Sequence, residues 1–135
     1  MFGFRSGKCK NALKHALSDC FDPLKDELGT VPVTLHSNKF VTASILGICE
    51  GYAETCNIKR EQTLAIITDA VFEEIFRRES TDILKQVDMW ISDRDSDFMT
   101  QYEAAKNDPS NKELDVNWLK TYLVENFEPS SNLML

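Results

Sequence analysis

At 135 residues, with 42% apolar and 27% charged side chains, the chain has the length and balance of one globular domain, and neither disorder nor a membrane-spanning protein fits that composition. The net charge of -7 argues against a protein whose main task is holding nucleic acid, since that work needs a dense Lys/Arg footprint. The charge is uneven: residues 1–39 carry six basic and four acidic side chains, residues 40–78 four and six, and residues 79–135 five and twelve.

The first segment, MFGFRSGK, opens with apolar residues and cations where an export signal would need an apolar run, so a cytoplasmic chain without stable membrane association is expected. From Cys9, the residues Leu13, Ala16, Leu17, Cys20 and Phe21 recur every three or four positions, the pattern of an amphipathic helix. Pro23 disfavours helical geometry at Asp22, so the helix stops there. A short second helix is expected with Asp22 as cap, Leu24 and Leu28 on its apolar face, and Gly29 as its end.

The segment TVPVTLHS alternates Val31, Val33 and Leu35, but no second strand-like run exists to pair with it, and it reads as a loop. Ser37 or Asn38 then caps a central helix over about 38–57, ended by Asn57. One arc of that helix holds Val41, Ile45, Ile48, Cys49 and Tyr52. The other holds Ala43, Ser44, Gly47, Gly51 and Thr55, with Glu50 and Glu54 beside it. Glycine costs about 1 kcal/mol against alanine inside a helix, so two on one stripe call for a close neighbour.

A third apolar face, from Leu64 through Ile67, Thr68, Val71, Phe72, Ile75 and Phe76, predicts a helix reaching Arg78. Ser80 or Thr81 caps the next, whose stripe of Ile83, Leu84, Val87, Trp90, Ile91, Phe98 and Tyr102 predicts one helix to about Ala105, with Arg94 in the middle of the stripe. Residues 107–114 read as a loop, Asp115 as the cap of a last helix through Phe127, and 129–135 as a flexible or docked tail. The expected architecture is all-α: a single-domain bundle of five or six helices over 1–135, with the small-residue helix at its centre.

Few constellations carry chemistry. DRDSD at 93–97 has carboxylates at alternate positions, but Phe98 stands where a calcium loop needs glycine and Ala104 where it needs a bidentate glutamate. His15 and His36 fall in no zinc spacing, and the four cysteines lie on apolar faces without a CxxC pair. No catalytic motif is found, and no metal or cofactor is expected. The candidate residues for binding or helix packing are Ala43, Ser44, Gly47, Glu50, Gly51, Glu54 and Arg94; an arginine in an apolar stripe either pairs with an anion, here Glu50 or Glu54, or snorkels its head group to water from the helix edge, and the glutamates otherwise read as a solvated edge. These point to a non-enzymatic protein acting through protein contacts, as a homodimer or an adaptor. The alternative is a helical small-ligand or enzymatic domain with a pocket along the Gly47/Gly51 face.

Overall fold

Six helices of ten residues or more and one single-turn helix carry the described residues, 4–130, of the computed structural model, and no strand occurs among them. Of the tail expected over 129–135, Pro129 and Ser130 are described, the Ser130 N–H donating to the Leu24 carbonyl at 2.9 Å, and residues 131–135 lie outside that range. Helix α1 (Phe4–Phe21) starts earlier than its apolar face implies and buries Cys9, Leu13, Leu17, Cys20 and Phe21. The short helix expected after Pro23 is not formed. A single 3-10 turn over Asp22–Leu24 is followed by extended backbone at Lys25, because the Asp26 carboxylate accepts from the backbone N–H of Leu28 and Thr30 and offers the chain a turn in place of a helix. Leu28 is consequently exposed rather than part of the core.

Residues 30–38 form an irregular connector with a 3-10 turn at Val33–Leu35; Val31 and Leu35 point inward while Val33 is exposed. Asn38 caps helix α2 (Lys39–Thr55), its side chain accepting from the Val41 N–H at 2.8 Å. At the other end Asn57 adopts φ +63, and the Ile58 N–H reaches the Ala53 carbonyl at 3.0 Å, a Schellman closure. Every residue from Val41 to Cys49 is buried, so α2 is enclosed on both of its arcs, as a helix at the centre of a bundle must be.

Helix α3 (Glu61–Phe76) packs on α1. It ends in a corner at Arg77 (φ +59, ψ -133), and a 3-10 turn over Arg77–Glu79 leads into α4 (Ser80–Ser92). Glu79 occupies the cap position expected of Ser80 or Thr81, while Ser80 is a buried first helical residue.

The single helix expected from Ile83 to Ala105 is two. Asp93 to Asp95 break it, with Arg94 at φ +51, and α5 (Ser96–Asn107) begins afresh. Two local devices make the break: the Asp95 N–H bonds the Trp90 carbonyl at 2.9 Å to close α4, and the Asp95 carboxylate accepts from the Phe98 N–H at 3.0 Å to start α5. The apolar stripe survives the corner because Trp90 and Phe98 stack across it, with ring centroids 5.6 Å apart. Lys39 reaches over from α2, donating to Asp95 at 2.6 Å and lying 5.7 Å above the Trp90 ring.

The loop expected over 107–114 contains one turn of helix, α6 (Pro109–Lys112), capped by Asp108. Val116 rather than Asp115 precedes α7 (Asn117–Asn126). Between them Asn111 is fully buried, its amide donating to the Ala105 carbonyl at 2.8 Å and its oxygen accepting from the Trp118 indole at 2.7 Å. That polar link ties α5, α6 and α7 together and has no signature in the spacing of the sequence.

The most extensive helix contact is α2 with α5, followed by α1 with α3. Three of the four cysteines are buried, Cys56 is partly buried, and all four are free thiols. No described helix is long and apolar enough to cross a membrane.

Candidate functional site

The residues singled out on α2 come together along its seam with α5. A β-carbon placed on Gly47 would stand 2.5 Å from the Tyr102 carbonyl oxygen and 2.9 Å from the Lys106 nitrogen; one on Gly51 would stand 2.6 Å from the Lys106 carbonyl oxygen. The close neighbour that two glycines require is therefore the backbone of α5 in the same chain. Ala43 and Ser44 are buried on the same helix. The Ser44 hydroxyl donates to the Phe40 carbonyl at 2.7 Å and accepts from the Gln101 amide at 3.0 Å. The pocket expected along the Gly47/Gly51 face is not formed, because α5 fills that space.

Glu50 accepts a hydrogen bond from the Tyr102 hydroxyl, and Lys106 sits 3.8 Å from Glu50 and 3.7 Å from Glu54. Burial and the Glu50 hydrogen bond both push the Tyr102 phenol above its ordinary pKa. Of the two readings of Arg94, the pairing is not formed: the corner at 93–95 leaves it without an ion pair to Glu50 or Glu54. That corner places Arg94 at an exposed turn, and the return of α5 along α2 gives the carboxylates Tyr102 and Lys106 instead.

On the other side of Glu50 lies a groove of about 590 Å³ between α2, α3 and α4. Its apolar lining is Leu46 from α2, Leu64 and Ala65 from α3, and Leu84, Val87 and Ile91 from α4, with Thr68 of α3 among them. Four carboxylates stand around them, Glu50, Glu61, Asp69 and Asp88, and no Lys, Arg or His lines the groove. Partial burial, then the nearby charges of Asp88 and Glu73, raise the Asp69 carboxyl above the usual carboxylate range. The acids are nonetheless dispersed: among the described residues no group of three metal-ligating side chains is arranged to hold a metal ion.

Leu64 and Thr68 belong to the apolar face expected of α3, and Leu84 and Ile91 to that expected of α4. The visible signal was the run Glu61, Leu64, Ala65, Thr68, Asp69, an apolar stripe bracketed by acids at helical spacing. What could not be read was that α2 and α4 leave this stripe open.

The histidines contribute elsewhere. His15 is exposed beside Asp19 at 3.5 Å, and His36 packs edge-on against Phe76 at 5.7 Å, where burial lowers its pKa. Comparison of the chain with protein-family models, with curated proteins and with solved structures finds no match.

Proposed function

We propose that this chain is a non-enzymatic contact domain, adaptor-like in action, that seats a helix of another protein in the α2/α3/α4 groove. The observation that carries this reading is the groove itself: an open trough walled by three helices, lined by apolar side chains and by carboxylates that are dispersed among them rather than converging on one point. A reacting molecule needs convergent polar groups in an enclosed hollow, whereas a helix needs an apolar trough that accepts side chains at i, i+3/i+4 and i+7. With no strand among the described residues, there is no sheet edge to which an extended peptide could add.

Self-association through the groove is the second form of this reading, favoured by Ile91, which lines the groove on α4 and is 39% exposed. The test is amide hydrogen exchange of the full chain with a panel of amphipathic helical peptides of differing charge, together with light scattering of the chain alone. Protection of α3 and α4 amides by at least one peptide, abolished by Ala65→Arg, is the expected result; a dimer mass abolished by the same substitution assigns the self-associating form. A monomer whose α3 and α4 amides are protected by no peptide sinks the proposal.

A further inference from the structure

We infer that the guest of this groove is a cationic amphipathic helix from a partner protein, seating one apolar stripe between α3 and α4 and placing Lys or Arg side chains against Glu61, Asp69 and Asp88. The inference rests on the contact-domain reading and adds the chemistry of the partner.

The carboxylates of the groove fall into two sets. Glu50 is answered within the chain by Tyr102 and Lys106. Glu61, Asp69 and Asp88 have no ion pair among the described residues. Like charges facing one another across α3 and α4 disfavour each other's ionised form, which is part of why the Asp69 carboxyl is raised. A fold that leaves three acids around an apolar trough without a countercharge is complementary to a ligand that brings both cations and apolar surface.

Dimensions select the helix. Glu61 and Asp69 are eight residues apart on α3, about 12 Å at 1.5 Å per residue, and Leu84 to Ile91 on α4 spans about 10 Å. A guest helix is about 10 Å wide with its side chains, too wide to sink whole into about 590 Å³, but that space takes the apolar residues of two turns while the flanking cations stay at the rim.

A second copy of this chain does not supply such a guest. Its cation-rich helix is α1, with Arg5, Lys8, Lys10 and Lys14, and the apolar side of α1 is spent in its own core, where Cys9, Leu13 and Leu17 are at most 1% exposed. A bare polyamine would match the acids and leave Leu84 and Ile91 wet.

The experiment uses fluorescence anisotropy of the full chain with a labelled peptide of about 16 residues, long enough for a helix, carrying Leu at i, i+3, i+7 and Lys on the flanks. Lys→Gln and Lys→Glu versions serve as controls and spermine as a competitor. The Lys peptide is expected to bind about tenfold tighter than its Gln version, the sum of three rim ion pairs at ordinary surface strength, and to lose that advantage as salt rises. The double variant Asp69→Asn/Asp88→Asn, which removes a repulsion and so melts no lower than the wild type, is expected to narrow the gap between the two peptides to about twofold, the share of the one remaining pair at Glu61.

Equal binding of the Lys and Gln peptides overturns the cationic inference and leaves the contact-domain reading standing. Failure of all three peptides overturns both. Complete displacement by spermine at the peptide's own concentration, or undiminished Lys preference in the double variant, also overturns it, since recognition would then need no apolar stripe or no groove acids.

Discussion

Gly47 and Gly51 carry a penalty of about 1 kcal/mol each in an isolated helix, and the fold keeps them because carbonyl oxygens of α5 stand where their β-carbons would be. Gly47→Ala and Gly51→Ala are therefore expected to lower stability by about 1 to 3 kcal/mol each, the usual cost of overpacking, despite alanine's better helix propensity; thermal denaturation reads this, and a rise in Tm would show that α5 sits further away. Burial separates the thiols in the same way. It pushes Cys9 up to about 12 and Cys20 up to about 11, and raises Cys49 as well, so at neutral pH these three are held as unreactive thiols. Titration of the native chain with a thiol reagent is expected to label Cys56, the one partly buried cysteine, well before the others, and all four after denaturation. Simultaneous labelling of four native thiols would contradict this core.

The corner between α4 and α5 is the element on which the architecture turns, because it converts one apolar stripe into two helices and lays the second along α2. Arg94 holds the left-handed position that glycine adopts at no cost. Arg94→Gly is expected to stabilise the chain by about 1 kcal/mol in denaturant melts; a loss would mean that the Arg94 side chain holds a partner. Asp95 serves the corner twice, capping α5 and pairing with Lys39, and both interactions hold its carboxyl below the usual carboxylate range. A carboxyl whose pKa is depressed by folding contributes stability that is present above the unfolded pKa, about 3.9, and is lost as pH falls through the folded value. Lys39, raised by the same pair, contributes below its unfolded pKa, about 10.4, and loses that contribution as pH rises through its folded one. Asp95→Asn should accordingly melt lower than the wild type at pH 7 and show a shallower loss of stability on acidification below about pH 4; parallel pH profiles would deny the pair a part in folding.

At the scale of the whole molecule, a ligand that binds only the folded chain stabilises it by about 2.7 kcal/mol at a hundredfold excess over its Kd, so a peptide that occupies the groove is expected to raise Tm, and Ala65→Arg, at an exposed position lining the groove, to abolish that rise without unfolding the chain. Binding without a Tm shift would mean that the peptide binds the unfolded chain as well as the folded one. The helical class, the central helix, its end at Asn57 and its cap at one of Ser37 and Asn38 were legible from residue order, because apolar periodicity and capping are local properties set within about two turns of chain. The demand for a close neighbour at Gly47 and Gly51 was legible too, as a cost without a visible return. Its identity was not. Whether that neighbour was another subunit, a ligand or α5 depended on the three residues at 93–95, where a left-handed arginine and a capping aspartate outweigh an unbroken apolar stripe. The partners of Glu50 and the open stripe on α3 follow from that same corner. Local chemistry decides which stretches are helical and which faces seek cover; only the closing of contacts between residues some fifty positions apart, as in Gln101 on Ser44, decides which face covers which and which is left over.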